Sequence, residues 1–306
     1  MSNTVVYIVD ENGENKKLRS YLRSCQKLST RFILRSAREN KILVNGEALH
    51  LNYKVSLNDK IEIILDKDET QDVFGEKMDL DIIYEDEDFI IINKPPNLVV
   101  HPTKSHINGT MANGLIYHFR ERGENTIVRL VNRLDMDTSG LIISAKNQYT
   151  HSYFSKIMKT KDYTKKYLAI CHGILKEKKG IVNLPIYRES EDEIKRVVDE
   201  RGKESITEYE VVEEYEDASL LSLTLLTGRT HQIRVHMEAL GHPIYGDKLY
   251  GETGDEDIIL RQALHAYYIS FKHPKTLEFM EFKGDLPDDM VVAIKKLNGV
   301  TSWLKT

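Results

Sequence analysis

Early in the chain, Leu18, Tyr21, Leu22 and Cys25 recur at i, i+3, i+4 and i+7, the apolar stripe of an amphipathic helix. A second helix is predicted to start at Ser29 or Thr30, either of which can cap it. Ile33, Leu34 and Ala37 are expected to face a core there, while Arg31, Arg35 and Arg38 put three guanidinium groups on one face. Ile42-Leu43-Val44 then meets Asn45-Gly46, a type I′ hairpin signal, and a further strand is expected over 60–65.

From Leu80 the texture changes. Strand-like runs fall at 81–84, 89–93, 141–145, 167–171, 207–212 and 220–226. Helical stretches are predicted near 111–120 and 150–159, and a last amphipathic helix over 288–297. Strand and helix do not alternate strictly. The expectation is therefore an α+β fold, with a central mixed, largely antiparallel sheet flanked by helices, rather than a doubly wound one.

With 306 residues the chain has room for one large domain, or for a small one and a medium one. It holds no apolar run long enough for a membrane span and no secretory signal pattern at its start, so a soluble cytoplasmic protein is expected. Cys25 and Cys171 are read as free thiols. No metal is expected, since the eleven histidines lack convincing ligand spacing, and His231 and His236 are five apart, off one helix face.

A net charge of −5 argues mildly against a nucleic-acid partner, but the charge is segregated. Over 16–41 nine basic residues, Lys41 among them, face one acid, a local +8. Over 66–88 eleven acids face two lysines, a local −9. The division expected is a basic domain over 1–66, an acidic linker over 67–79 and a larger domain over 80–306.

Two polar segments carry candidate chemistry. The first is Val131-Asn132-Arg133-Leu134-Asp135-Met136-Asp137-Thr138-Ser139-Gly140, opening an apolar strand. An aspartate in such a place also caps turn N–H groups, and on this segment alone the two readings stand level. The second, Gly228-Arg229-Thr230-His231-Gln232-Ile233-Arg234-Val235-His236, runs from a strand into a helix with Thr230 as expected cap. A surface pairing of Arg234 with Glu238 is an alternative there.

Together these segments resemble the RluA-type family of RNA pseudouridine synthases. The resemblance rests on Arg133 to Gly140 (Arg-Leu-Asp-x-x-Thr-Ser-Gly), Gly228 to His236 (Gly-Arg-x-His-Gln-Ile-Arg-x-His) and Lys165-Lys166-Tyr167. Further matches are Asn93-Lys94-Pro95, His101-Pro102, 241–247 and 264–266, so it spans nearly the whole chain. The start resembles an S4 RNA-binding domain through Ser29-Thr30-Arg31, 41–46 and Asn58-Asp59-Lys60-Ile61. Asn132 stands where many members have histidine, Pro96-Asn97 where Ala-Gly is common, and Asn40 where S4 domains usually have glycine.

The resemblance implies a pseudouridine synthase fold behind an S4-like helix-helix-hairpin domain. It also implies isomerisation of uridines in RNA: the N1–C1′ bond is cut, the uracil turns and it rejoins through C5. Nothing is added or removed, so no cofactor is needed. Asp135 is implied as the essential carboxylate near C1′, acting as nucleophile, base or charge stabiliser. Arg234 is implied as its partner, since a guanidinium favours the charged form. Tyr167 is implied to lie against the base. The target must leave its stack, and Arg133 is the implied filler of the gap.

Arg229, His231, Gln232 and Lys165 are expected RNA contacts in the cleft, as are Arg31, Arg35, Arg38 and Lys41 on the S4-like domain. Ribosomal RNA is the favoured substrate, transfer RNA the other; a monomer is expected. The main alternative is a non-catalytic S4-type RNA binder, which would not need Asp135, Tyr167 and Arg234 together. An S4-linked methyltransferase would need a glycine-rich loop where Lys94-Pro95-Pro96 stands. A glycosidase would need carboxylates farther apart in sequence than Asp135 and Asp137.

Overall fold

The computed structural model describes residues 4–65, 73–103 and 106–299. The first domain packs two helices, α1 (Leu18–Ser24) and α2 (Thr30–Arg38), on a three-stranded sheet. Its strands are β1 (Thr4–Ile8), β2 (Ile42–Val44) and β3 (Lys60–Ile64), in the order β1-β3-β2, antiparallel throughout. Ser29 caps α2, its hydroxyl accepting from the Phe32 N–H at 3.2 Å.

Phe32, Ile33 and Ser36 are buried on α2 and Ala37 packs half-buried against the same core, so of the three residues expected to face it only Leu34 does not. Leu34 is 42% exposed, on the side of Arg31, Arg35 and Arg38. At 100° per residue Phe32, Ser36, Ile33 and Ala37 fall within one arc of about 140°, and Leu34, about 200° from Phe32, lies outside it. Asn40 takes a left-handed φ of 54°, so the glycine usual at such a turn is dispensable here. Asn45 and Gly46, at φ 53° and 89°, close the turn expected of them. The turn brings Glu47 against Val44 only, and the lasting partner of β2 is β3.

The second domain is built on a ten-stranded sheet. Its elements in chain order are β4 (Ile82–Glu85), β5 (Phe89–Lys94), α3 (Met111–Glu121), β6 (Arg129–Leu130), β7 (Ser139–Ala145), α4 (Gln148–Ile157), β8 (Tyr163–His172) and β9 (Lys179–Asn183). There follow β10 (Ile186–Tyr187) and β11 (Val197–Val198), a separate ribbon, then β12 (Ile206–Glu214), β13 (Ala218–Leu225), α5 (Gln232–Ala239), β14 (Leu264–Lys272), β15 (Phe279–Lys283) and α6 (Asp288–Leu297). The order is β4-β5-β7-β14-β8-β13-β12-β9, with β15 on β14 and β6 on β7. Among the described residues only the β7–β14 pairing is parallel, so the sheet is mixed and largely antiparallel.

Strands β5 and β7 carry unbroken apolar runs, Phe89 to Ile92 and Leu141 to Ile143, because both faces of the sheet are covered there. Ile90, Ile92 and Ile142 join a core with Leu115 and Phe119 of α3 and with Met290 of α6. Phe89, Ile91, Leu141 and Ile143 join Phe154 of α4 and Phe271 of β14. Where β7 meets β14, Gly140 has φ 113°, and a Cβ there would stand 2.3 Å from the Ala266 carbonyl oxygen. Gly140→Ala is expected to cost about 2–4 kcal/mol in chemical denaturation. An unchanged midpoint would mean that the parallel pair opens at little cost.

The small domain docks on α4. Tyr149 lies in the small domain's core cluster, its hydroxyl accepting from Tyr7 at 3.1 Å and donating to the Pro274 carbonyl at 3.2 Å. Arg35 Nη1 donates to Gln148 at 3.4 Å across the same seam. Of the acidic stretch, 66–72 lie outside the described residues. The described part runs along α3, where Asn113 donates to the Phe74 carbonyl at 2.8 Å and the Glu76 N–H donates to the Asn113 carbonyl at 3.0 Å.

Candidate active site

The loop before β7 is held from several directions. Asn132 acts as a side-chain imitation of a strand, donating to the Leu141 carbonyl (3.1 Å) and accepting from the Ile143 N–H (2.9 Å). Lys94, fully buried at the end of β5, donates to the carbonyls of Pro95 (2.7 Å), Leu98 (3.0 Å) and Met136 (2.8 Å). Arg261 donates to the Asp137 carbonyl at 2.9 Å while its fork grips Asp289 at 2.6 and 2.8 Å. Gln262 reaches Thr138, and His265 of β14 is hydrogen-bonded to Ser139 at 2.9 Å. The backbone on both sides of Asp135 is therefore set by buried groups, the condition for presenting a reactive side chain in one geometry.

The Asp135 side chain keeps 29% of its surface open. Its Oδ2 accepts from Arg234 Nη1 at 3.0 Å, and His231 Nε2 lies 3.8 Å away. Arg234 does not pair with Glu238, which meets Lys195 instead at 2.9 Å. Its Nε and Nη2 fork onto Asp247 at 2.6 and 2.7 Å, and its guanidinium lies 5.0 Å from the Tyr250 ring centroid. Burial opposes charge on Asp247, and the Arg234 hydrogen bonds override it, holding that carboxyl below its ordinary range. Arg234 is thus a bidentate anchor on one side and a single donor to Asp135 on the other.

Helix α5 starts differently from expectation. Thr230 is not the cap: His231 holds the N-cap position with φ 57°. The helix start has no side-chain cap, and the Gln232 side chain instead ties down the loop ahead of it, accepting from the Arg229 N–H and the Thr227 hydroxyl, both at 2.9 Å. Its amide donates to the Ile206 carbonyl and the Thr207 hydroxyl, and the residue is 2% exposed. Gln232 therefore organises the loop from within, and the RNA contact expected of it is corrected: none of its polar atoms is left to offer. His231 faces Asp135 on one side and bonds the Tyr250 hydroxyl at 2.9 Å through Nδ1. Burial keeps its pKa below the ordinary range.

These groups line one cleft of about 820 Å³, which also takes in His101, Arg133, Tyr167, Arg196 and Arg229. Tyr167 and Lys165 lie on the same face of β8, two residues apart. Both are buried, at 6% exposure each. Arg133 and Arg229 are exposed at its rim, and Arg229 Nε donates to the Glu204 carbonyl at 3.1 Å. Arg31, Arg35 and Arg38 lie on α2, outside the cleft, and Lys41 is half-buried against Glu39 at 2.7 Å.

Sequence reasoning missed Arg196, Asp247 and Tyr250. Asp247 closes one of the family-like segments, but nothing in its spacing ties it to Arg234. Apart from the cleft, Asp86, Asp88 and His273 come close enough to one another to share an ion. Lys275 Nζ lies 2.9 Å from Asp88 and His273 bonds Asp86 at 3.0 Å, so the chain itself meets that charge.

The described residues include no helix long and apolar enough to cross a membrane. Residues 88–239 match the family model described as RNA pseudouridylate synthase. The Bacillus subtilis (strain 168) protein named uncharacterized RNA pseudouridine synthase YlyB is 38% identical over 299 residues, covering 96% of this chain and 98% of its own. Ribosomal large subunit pseudouridine synthase D of Haemophilus influenzae (strain ATCC 51907 / DSM 11121 / KW20 / Rd) is 38% identical over 256 residues, 80% of this chain and 79% of its own. Among solved structures, human RNA pseudouridylate synthase domain containing 1 is similar with a TM-score of 0.57 and 31% identity, over 69% of this chain and 85% of that one. The chain belongs to the RNA pseudouridine synthase family, of the RluA type, and is an enzyme that isomerises uridine in RNA.

Proposed function

We propose that the chain converts uridines of ribosomal RNA to pseudouridine, with Asp135 as the essential carboxylate and no cofactor. The observation that carries this is the Asp135 carboxylate on the Arg234 guanidinium, beside Tyr167 in a cleft large enough for a nucleotide. The reaction conserves every atom of its substrate, so it calls for positioning and charge stabilisation rather than a co-reactant. In this reading the Arg234 hydrogen bond holds the Asp135 carboxylate aimed at C1′. The Tyr167 ring supports the uracil, its hydroxyl staying protonated because burial raises its pKa. Arg133, exposed on the loop that carries Asp135, fills the gap left by the flipped base, and Arg229 meets phosphate. Ribosomal RNA is favoured because relatives of comparable similarity are named for the large ribosomal subunit. The enzyme works as a cytoplasmic monomer.

The test is tritium release from RNA carrying 5-tritiated uridine, since that label goes to water only when C5 becomes the glycosidic carbon. Release from ribosomal and not transfer RNA is expected; the reverse would reassign the substrate.

Residues 1–66 act in this reading as an S4-like RNA-binding domain, 67–79 as the join and 80–306 as the catalytic domain. Replacing Arg31, Arg35 and Arg38 together by Gln is expected to weaken RNA binding. The slope of log affinity against log salt should flatten by about 2 to 3, roughly one for each phosphate no longer neutralised. The rate at saturating RNA should persist. An unchanged slope would mean that this face does something other than meet RNA.

A further inference from the structure

Lys165 has the residue type of a surface phosphate contact and the position of something else. It is 6% exposed on β8, and its Nζ stands 4.7 Å from the centroid of the Tyr167 ring. Among the described residues that ring is its one specific contact: no hydrogen-bond acceptor or carboxylate lies within pairing distance of its ammonium. The residue nevertheless lines the cleft, so the open direction for its amine is the cleft itself. A buried cation without a partner is costly, and such a group persists where a ligand completes it.

Two ligand groups could do so, a phosphate of the backbone or the oxygen edge of the base. When a nucleotide is flipped into a pocket, its base goes deepest and its phosphates stay near the rim. Arg133 and Arg229 already stand exposed at that rim, whereas Lys165 lies inside, against the ring proposed to support the uracil. Burial lowers the amine to about 7, and Asp135 pulls the other way. A second negative group at this spot would return it fully to the charged form.

We propose that Lys165 is a catalytic residue that donates a hydrogen bond to a carbonyl oxygen of the flipped uracil and stabilises the negative charge that the base takes on when N1–C1′ breaks. In that step the bonding pair leaves with N1 and spreads onto the ring oxygens, where the ammonium meets it while keeping its own proton. C5 then returns a pair to C1′, the C5 proton goes to water, and N1 regains one from water, so atoms and electrons balance with no co-reactant. Because the charge develops in the transition state, the contact accelerates the reaction more than it tightens binding. This role rests on the reading of the Asp135 cleft as the site of isomerisation.

The experiment is single-turnover tritium release at saturating RNA, with affinity and its salt dependence measured in parallel, on the wild type, Lys165→Met, Lys165→Gln and Asp135→Asn. Methionine keeps the length and apolar stem, so Lys165→Met should melt no lower than the wild type; Lys165→Gln repeats the test should it fail to fold. Expected is a rate on the order of 100-fold lower, the scale of one oxyanion donor, with affinity within about twofold and the salt slope unchanged. Weakened binding, a slope flatter by about one and a preserved rate would make Lys165 a phosphate contact and overturn the proposal. An unchanged rate with unchanged binding would do the same. Wild-type release by Asp135→Asn would overturn the reading of the cleft itself, and this role with it.

Discussion

Asp135→Asn is expected to abolish turnover, by at least about a thousandfold, while RNA still binds within about twofold. The substitution is close to isosteric, and its amide oxygen can still accept from Arg234 Nη1, which stands 3.0 Å from Oδ2 in the native site. The loop should keep its shape, because the groups that hold it act on its backbone and on neighbours: Lys94 on Met136, Arg261 on Asp137 and Asn132 on β7. What disappears is the negative charge and the basicity. A neutral amide can neither attack C1′, nor take a proton, nor face positive charge at the sugar with a full charge of its own. The measurement is tritium release with filter binding beside it. Turnover within a few-fold of the wild type would reject Asp135 as the essential group, and a loss of binding would make it a recognition residue.

Much of the fold was legible because some segments say the same thing at every level. The runs in β5 and β7 are too apolar for any position but the middle of a covered sheet, and α6 fell where its amphipathic pattern put it. Strand β14 was not legible. Its sequence mixes histidine, tyrosines and serine, and it becomes a central strand through partners distant in the chain, β7 on one side and β8 on the other. Likewise β1 needs β3, more than fifty residues on, before its alternation means anything.

The site shows the same division. The pairing of Asp135 with Arg234 joins residues 99 apart, and no spacing rule reaches that far; it came from resemblance. Gln232 and Lys165 were read by residue type without regard to burial, yet solvent exposure decides what a polar side chain can meet and how. For Lys165 a signal did exist. It shares parity with Tyr167 and Ala169 on β8, both buried, so strand alternation alone put its side chain inside. For Gln232 none did, because its partners come from 206–207 and 227–229, brought together only by the fold.

Arg234→Ala is expected to cost both activity and stability, and the two losses separate by pH. On the catalytic side Asp135 loses its charge partner and aim, so most of the turnover should go. On the structural side Asp247 is left buried, with a side chain that has no exposed surface, and loses the fork at 2.6 and 2.7 Å. Breaking a buried pair from one side costs about 3–5 kcal/mol. In the wild type the Asp247 carboxyl is held below its usual 3.8. Its contribution to stability is therefore present above that value and is lost as pH falls through the lower folded one. Without Arg234 the balance inverts: burial, the largest influence on this carboxyl, then raises its pKa, and the folded variant prefers it neutral. The variant should lose stability as pH rises from about 4, where the unfolded chain ionises, toward neutrality. The gap in melting temperature between wild type and variant should thus be small near pH 4 and widen toward pH 7. Arg234→Lys should narrow it only in part, since a point charge cannot reproduce the fork. A gap constant with pH would show that Arg234 stabilises the fold by packing on Tyr250 rather than by holding Asp247, and near-normal turnover would remove it as the partner of Asp135.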